Sequence, residues 1–335
     1  MTEKFNKCKK NSRKIVTILL VSLLLTGCET DISVFDNYEI PLSQSSEQDI
    51  LEGTTADNID SEFLSADICV VPKKKQSQKD SFMTAGASLI FDNTHNKMLY
   101  ADNIYTKMYP ASTTKIVTAL VALKYGNLND EVTISYNATH INEYGAKLCG
   151  FAEGDKITLK KLLYSFLICS GNDAGIAIAE HIAGSVDKFA AMMNKEVKAL
   201  GCSGSNFVNP HGLHDDNHYT TPYDLYLVFH ELLKYDVFMD IINHSSYKAE
   251  FNGADGNKKT LWFTSTDKYL LGSAKAPEGV TVIGGKTGTT SMAGSNLILY
   301  SKNSNGNSYI SVVMHASDSS SLYSQMSHLL ELENQ

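Results

Sequence analysis

Arginine is almost absent from this chain, and its single copy, Arg13, lies close to the N-terminus. The 335 residues carry a formal net charge of −8 at pH 7. Nucleic-acid binding depends on clustered cations that neutralise phosphates, and an acidic chain with one arginine does not supply them. We therefore expect no nucleic-acid partner.

The chain also lacks the spacings of cysteine and histidine that build metal sites or disulfide frameworks. Cys69, Cys149, Cys169 and Cys202 are interpreted as buried free thiols, and a Cys149–Cys169 bridge is an alternative that spacing does not decide. Three histidines and two aspartates lie within residues 211–218, which invites a zinc hypothesis. No H-E-x-x-H motif accompanies them, and Asn-Pro and His-Gly steps indicate irregular backbone. We predict neither a metal nor a cofactor.

Long apolar runs are missing too, apart from a short one near the start. Basic residues within positions 4–14 precede the apolar stretch 15–25, which is too short to cross a bilayer as a helix. This pattern predicts a secretion signal peptide over residues 1–27. Its last residues and Cys28 resemble the bacterial lipobox, which predicts a lipidated Cys28 and a lipoprotein anchored on the outer face of the cytoplasmic membrane. The alternative is an ordinary signal with an incidental cysteine.

Residues 28–83 are rich in Ser, Asp, Glu, Thr and Asn, which predicts a flexible tether. Residues 84–335 form the predicted folded domain, with β-rich segments near both ends and helical periodicity between them. The predicted strands are 87–91, 97–100, 280–290, 297–300 and 309–314, and the predicted helices include 116–123, 157–168, 176–182, 220–232 with its capped start, and 321–332. The order indicates one sheet, assembled from distant segments and covered by helices.

The segment 110–115, Pro-Ala-Ser-Thr-Thr-Lys, opens one of these helices. Pro110 suits a helix start, and Ser112 then lies in the first turn with Lys115 one turn later on the same face. A hydroxyl beside an amine is an arrangement for a serine nucleophile whose proton is taken by lysine, provided that the lysine pKa is lowered. The motif alone is weak, because S-x-x-K also occurs at Ser185, Ser245 and Ser265.

Two further polar elements interrupt apolar surroundings. Ser170-Gly171-Asn172 stands between two apolar helices, where a helix-capping turn is the structural alternative to a functional role. Lys286-Thr287-Gly288 lies in a strand interrupted by glycines, which mark bulges or close approach of a ligand.

Taken in order, these three elements resemble the motifs of the penicillin-recognising serine peptidases, the group of penicillin-binding proteins and serine β-lactamases. Their flanks narrow the resemblance to the low-molecular-mass D-alanyl-D-alanine carboxypeptidases; the matching segments are 110–115, 170–174, 209–213 and 284–289. The resemblance covers roughly residues 84–335. It implies a β-lactamase/DD-peptidase-like α/β fold, with a mainly antiparallel sheet flanked by helices, an all-α lobe, and the site at their junction.

The same resemblance implies the chemistry. Ser112 would attack the penultimate D-alanine carbonyl of a peptidoglycan stem peptide, Lys115 would take its proton, and Ser170 with Lys286 would relay a proton to the leaving amine. Backbone N–H groups of Ser112 and Thr289 would form the oxyanion hole. The implied substrate-binding residues are Asn172, Lys286, Thr287, Gly288 and Thr289. β-Lactams would act as covalent inhibitors.

Several alternatives stay open at this stage. A DD-endopeptidase or transpeptidase uses the same motifs, because they do not distinguish water from an amine as acceptor. A β-lactamase of the same fold needs a deacylating glutamate, and no E-x-x-L-N stands in the loop 203–218. A catalytically silent wall-binding or β-lactam-sensing lipoprotein is the third alternative. Some relatives bind the substrate carboxylate with an arginine, which Lys286, hydroxyl groups or another lysine must replace here.

Overall fold

The computed structural model describes residue 77, residues 80–143 and residues 145–335. The predicted signal peptide, Cys28, Cys69 and most of the predicted tether lie outside this range, so their interpretation stays a prediction. Among the described residues, no helix has both the length and the apolar character needed to cross a bilayer.

The described chain forms strands and helices in an order that starts and ends with the main sheet. The strands are β1 (Ala87–Asp92), β2 (Lys97–Asp102), β3 (Glu131–Thr133), β4 (Lys156–Thr158), β5 (Ser246–Asn252), β6 (Lys258–Thr264), β7 (Val280–Thr290), β8 (Gly294–Asn303) and β9 (Ser308–Ala316). The helices are α1 (Lys115–Tyr125), α2 (Tyr136–Thr139), α3 (Leu159–Cys169), α4 (Asn172–Ala183), α5 (Val186–Ala199), α6 (Pro222–Leu232), α7 (Asp236–Ile242) and α8 (Ser319–Leu330).

The main sheet has five strands in the order β2-β1-β9-β8-β7, and every neighbouring pair is antiparallel. The first and last segments of the domain therefore meet, as the sequence predicts. In β1, Leu89 and Phe91 belong to the large core shared with the helices, whereas Ile90 belongs to a smaller core with α8 on the other face. This alternation follows from the two-residue period of a strand. The predicted α/β fold with a mainly antiparallel sheet is confirmed.

The helical lobe is organised around α1. Its residues from Lys115 to Ala122 are all buried, and α1 packs against α3, α4, α5 and α6. A helix that is apolar all round belongs in the middle of a bundle. The structure thus places the start of α1, and with it Ser112, at the junction between the lobe and the sheet.

The structure differs from the sequence interpretation in three local features. A second sheet, with the order β3-β4-β5-β6, packs on α3 and was not predicted. Residues 157 and 158, assigned to a helix from sequence, lie in β4, and the helix starts at Leu159. Ser112 lies in a 3₁₀ turn, Ala111–Thr114, directly before α1 rather than in its first turn.

The folded domain also begins before residue 84. Ser77 exchanges backbone and side-chain hydrogen bonds with Ala101 in β2, at 2.8 and 2.9 Å. Asp80 contacts His328 of α8 at 2.7 Å, and Met83 is buried. The C-terminal end of the predicted tether is therefore part of the domain.

Candidate active site

The turn that carries Ser112 is held in an unusual backbone conformation. Ala111 has φ +49°, a left-handed conformation that an alanine rarely adopts. The turn is held by Thr113, whose Oγ1 donates to the Pro110 carbonyl at 2.8 Å, and by buried Asn296 of β8. The Asn296 side-chain amide donates to the carbonyls of residues 109 and 110, both at 3.0 Å. The turn therefore presents a half-buried Ser112 side chain on a rigid support.

Lys115 lies directly behind this serine. Its buried Nζ is 3.0 Å from Ser112 Oγ, 2.8 Å from Asn172 Oδ1 and 2.7 Å from the His211 carbonyl. Burial lowers the pKa of Lys115 well below its usual value, and the nearby charge of Lys286 lowers it further. A neutral amine has two N–H groups for the amide and carbonyl oxygens, which leaves its lone pair for the serine hydroxyl. The geometry thus suits a lysine base.

The turn between α3 and α4 forms the next part of the site. Ser170 caps α3 with φ +65°, and Asn172 is the first residue of α4. The Asn172 backbone N–H donates to the Lys147 carbonyl at 2.7 Å. The turn therefore both ends α3, at Ser170, and contacts the Lys115 amine, through Asn172.

The loop 209–213 supports Lys115 from the opposite side. Asn209 Oδ1 accepts from the N–H groups of His211 and Gly212 at 3.2 and 2.7 Å, which orients the His211 carbonyl toward the lysine. Gly212 has φ +89°, and a Cβ there would lie 1.9 Å from the Ala111 carbonyl oxygen, so the loop requires glycine. The sequence analysis used the segment 209–213 only as part of the family resemblance and did not predict that it supports Lys115.

The histidines of this region make hydrogen bonds within the fold. His218 Nε2 lies 2.7 Å from Thr114 Oγ1, and burial lowers the pKa of His218 to about 4. Burial likewise lowers the pKa of His211 well below its usual value. Among the residues that the structure describes, no group of three or more His, Cys, Asp or Glu side chains is arranged to hold a metal ion.

β7 forms the opposite wall of the site. It is an edge strand of the main sheet, and it passes so close to the serine turn that a Cβ on Gly288 would lie 2.8 Å from the Pro110 oxygen and 2.9 Å from Ser112 N. Lys286 is buried and donates to the Thr287 carbonyl at 2.9 Å. Burial and the charge of Lys147 lower the pKa of Lys286 to about 7.

A cavity of 630 Å³ lies between the two walls. Six of the predicted residues line it: Ser112, Ser170, Asn172, Thr287, Gly288 and Thr289. The two predicted lysines, Lys115 and Lys286, are buried and are not among the residues that line the cavity. The lining residues that sequence reasoning missed include Lys147, Leu213, Thr266 and Tyr323. Thr266 Oγ1 lies 2.5 Å from Thr287 Oγ1. Thr266 belongs to the accidental S-x-x-K match that starts at Ser265, so no meaningful motif marked it in the sequence.

Comparisons with known proteins agree with this geometry. D-alanyl-D-alanine carboxypeptidase DacF of Bacillus subtilis is 32% identical over 252 residues, which are 74% of this chain and 61% of that protein. DacA of Haemophilus influenzae, another D-alanyl-D-alanine carboxypeptidase, is 33% identical over 238 residues, 69% of this chain and 57% of that protein. The chain thus spans about three-fifths of the length of these curated relatives.

Solved structures match as well. A mutant of the Streptomyces K15 DD-transpeptidase superposes with a TM-score of 0.70 at 25% identity, covering 75% of this chain and 98% of that one. Penicillin binding protein 5 from Haemophilus influenzae gives a TM-score of 0.66 at 29% identity, covering 76% and 72%. A sequence model of the family Peptidase_S11, D-alanyl-D-alanine carboxypeptidase, matches residues 73–318. The resemblance inferred from the motifs is confirmed, and the chain belongs to the Peptidase_S11 family.

Proposed function

We propose that the protein is a serine D-alanyl-D-alanine carboxypeptidase that removes the terminal D-alanine from peptidoglycan stem pentapeptides. The observation that carries the proposal is the buried Lys115 amine 3.0 Å from Ser112 Oγ, with two other acceptors that orient it. Burial lowers the pKa of this amine well below its usual value, which favours the neutral form that a serine hydroxyl needs as its base in order to attack an amide.

Acylation starts when Ser112 Oγ attacks the carbonyl carbon of the penultimate D-alanine. Lys115 Nζ takes the hydroxyl proton, and the terminal D-alanine leaves as an amine after receiving a proton. Ser170 and Lys286 are the groups assigned to this second transfer. The product is an ester between Ser112 and the shortened stem peptide, which water then hydrolyses.

The oxyanion of the tetrahedral intermediate would be bound by the N–H groups of Ser112 and Thr289. The close approach of β7 to the serine turn at Gly288 supports this assignment, because it brings both backbone segments to one point. One such donor is commonly worth about 10²–10³ in rate. The substrate carboxylate would lie against Lys286 and the hydroxyl groups of Thr287 and Thr289, with Thr266 orienting the Thr287 hydroxyl.

The direct experiment is to incubate the purified full chain with a muropeptide that carries a pentapeptide stem. We expect release of free D-alanine and a tetrapeptide product, and no release from Ser112→Ala. A fluorescent penicillin should label the wild-type protein on Ser112. If mass spectrometry located the adduct on another residue, or found no adduct and no D-alanine, the proposal would fail.

A transpeptidase function is the second candidate, and one observation favours it. The chain covers 98% of a mutant of the Streptomyces K15 DD-transpeptidase with a TM-score of 0.70. The same incubation separates the two functions when an acceptor amine is present. A cross-linked dimer that forms faster than the tetrapeptide would replace the carboxypeptidase proposal.

We also propose that lipidated Cys28 anchors the protein on the outer face of the cytoplasmic membrane. The lipobox-like sequence after a signal-like segment supports this. Cys28→Ser should move the protein from the membrane fraction to the soluble fraction, whereas the matched variant Cys69→Ser should stay with the membrane. Membrane retention of Cys28→Ser would refute the lipid anchor.

A further inference from the structure

Two cysteine sulfurs meet directly behind the Ser170 turn. Cys169 is the last residue of α3 and is buried, whereas Cys149 is partly exposed in the loop before β4. Their Sγ atoms are 3.1 Å apart. Since a disulfide bond is about 2.05 Å long, an approach of about 1 Å would join them. The proposed reaction uses neither thiol, although Cys169 precedes Ser170 in the chain.

The loop that carries Cys149 is attached to the site through its backbone. The N–H groups of Cys149 and Gly150 donate to the two carboxylate oxygens of Asp173 at 2.8 and 2.9 Å. The Lys147 carbonyl accepts from the Asn172 N–H at 2.7 Å, and Lys147 lines the cavity. A covalent link at Cys149 would therefore restrain the loop that contacts both Asn172 and the cavity.

Packing decides which of the two sulfurs would move. Cys169 belongs to the main hydrophobic core, and its neighbours on α3 are buried. Cys149 lies in a loop and rests against Gly171, where an added Cβ would be only 2.3 Å from the Cys149 sulfur. Glycine at 171 thus gives the sulfur its place beside Cys169. We expect Cys149 to close the distance while Ser170 keeps its position.

We propose that Cys149 and Cys169 form a reversible disulfide that tethers the loop 147–150 to the end of α3 and holds the Ser170–Asn172 turn in its productive geometry. This goes beyond the proposed reaction and, for its effect on acylation, rests on that proposal. It adds a covalent modification site next to Lys147 and Ser170, which line the cavity.

The chemistry is exchange with an external disulfide, R–S–S–R. The more exposed Cys149 attacks as a thiolate, forming a mixed disulfide and releasing one RS⁻. The Cys169 thiolate then attacks the Cys149 sulfur and expels the second RS⁻. Two protein thiols are oxidised, R–S–S–R is reduced to two R–SH molecules, and the protons of both cysteines end on these products.

The local electrostatics determine which step is slow. In the reduced protein a hydrogen bond from the Cys149 thiol lowers the pKa of Cys169. That bond is lost in the mixed disulfide, where Cys169 attacks because its sulfur lies next to that of Cys149, at 3.1 Å in the reduced protein. Burial and the contact with Cys169 raise the pKa of Cys149 well above its usual value. The first attack is therefore the slow step, and it should accelerate with rising pH.

The test compares the full chain equilibrated with glutathione disulfide and with dithiothreitol, followed by blocking of free thiols and trypsin digestion without reductant. Cleavage after lysine places Cys149 in peptide 148–156 and Cys169 in peptide 162–188, each with a single cysteine. We expect these two peptides to be joined in the oxidised sample, with two hydrogen atoms fewer than their sum.

The oxidised protein should also unfold about 5–10 °C higher, because the link closes a loop of moderate length. Its Ser112 should be acylated by penicillin about threefold to tenfold faster than in the reduced protein, since the turn is better held. Cys149→Ser should remove both differences. Cys202→Ala is the matched control, because Cys202 is buried elsewhere against the Asp224 carbonyl, and it should keep both differences.

Three results would overturn the inference: no link between peptides 148–156 and 162–188, a link from either cysteine to Cys69 instead, or a link that changes neither the unfolding temperature nor the acylation rate. Absence of penicillin labelling in both redox forms would refute the proposed function alone, because the peptide link and the unfolding temperature are measured independently of it.

Discussion

The two walls of the cavity hold their functional lysines in different ways. Lys115, on the helical wall, is bound by three segments of the chain at 2.7–3.0 Å. Lys286, on the strand wall, donates to the carbonyl of the next residue in its own strand. Both are buried, yet only Lys115 is oriented by partners from distant segments. We infer that the helical wall carries the nucleophile and its base, which need fixed geometry, whereas the strand wall binds the substrate and, through Lys286, shares in the proton transfer to the leaving amine.

The walls also differ in backbone strain. On the helical wall, Ala111 and Ser170 have φ values of +49° and +65°. On the strand wall, β7 stays extended through residues 286–290 as the edge strand of its sheet. Strained conformations persist only where the surrounding structure enforces them, whereas an edge strand offers unpaired backbone groups to a ligand. We therefore expect substitutions in the two walls to have different effects.

The largest effect should come from the helical wall, from Ser112→Ala. Without the nucleophile no acyl-enzyme forms, so penicillin labelling and D-alanine release should fall by about 10⁴-fold or more. Ser185→Ala is the matched control, because Ser185 starts an accidental S-x-x-K match and only caps α5. It should cost about 1 kcal/mol of stability and keep the labelling. Labelling of Ser112→Ala at the wild-type rate would contradict the assignment.

Lys115→Met should have the second largest effect, with acylation about 10²–10⁴-fold slower because the base is lost. The lysine of the accidental match, Lys188, provides the control: Lys188→Met should leave the rate unchanged. For the wild type, acylation should decline as the pH falls through the lowered pKa of Lys115, since the protonated amine cannot accept a proton. Stopped-flow measurement of penicillin acylation checks both expectations, and a rate independent of Lys115 would reverse the roles of the two walls.

Gly288→Ala tests the contact between the walls. The added Cβ would lie 2.8–2.9 Å from the Pro110 oxygen and from the nitrogens of residues 112 and 113, so β7 must move away from the serine turn. We expect acylation to slow by about 10²-fold while the protein stays folded. Gly306→Ala, in the open turn between β8 and β9, has no atoms to collide with and should affect stability only. Equal acylation rates for both variants would contradict the assignment of the Thr289 N–H to the oxyanion hole.

The smallest effect concerns the strand wall and pH. The pKa of Lys286 is lowered to about 7, so its ammonium form dominates below pH 7 and disappears above it. If this charge binds the substrate carboxylate, KM for a pentapeptide should rise about tenfold between pH 6 and pH 8. A peptide with an amidated C-terminus should show no such rise. Steady-state kinetics give KM against pH for both peptides. If KM rose equally for the free and the amidated peptide, Lys286 would not bind the carboxylate.

The sequence predicted the helical wall and the sheet edge because short motifs and apolar periodicity carry that information. Ser112, Ser170 and Gly288 belong to three short motifs at the start of a helix, between two helices and in a strand, and all three residues line the same cavity. The β5–β6 hairpin was missed although β5 alternates polar residues with Tyr247, Ala249 and Phe251, which is a strand period. This signal was overlooked because the surrounding stretch is polar, and the hairpin is open to solvent on one side, with Trp262 71% exposed.

The residues that support the site were harder to predict. Lys147 and Thr266 enter the cavity from loops, and Asn209 orients the His211 carbonyl through hydrogen bonds within a turn. Such roles depend on three-dimensional proximity of segments that are far apart in sequence. The contact between Cys149 and Cys169, separated by a strand and a helix, is of the same kind.

Buried Asn296 has a consequence for the order in which the site forms during folding. Its amide joins the serine turn to β8, while its Oδ1 accepts from the His315 N–H of β9 at 2.7 Å. A chain that is synthesised from its N-terminus therefore presents Ser112 long before the strands that shape its turn are made. Reactivity toward amides or drugs should thus appear only once the last strands have docked, so that newly made protein stays inert until then.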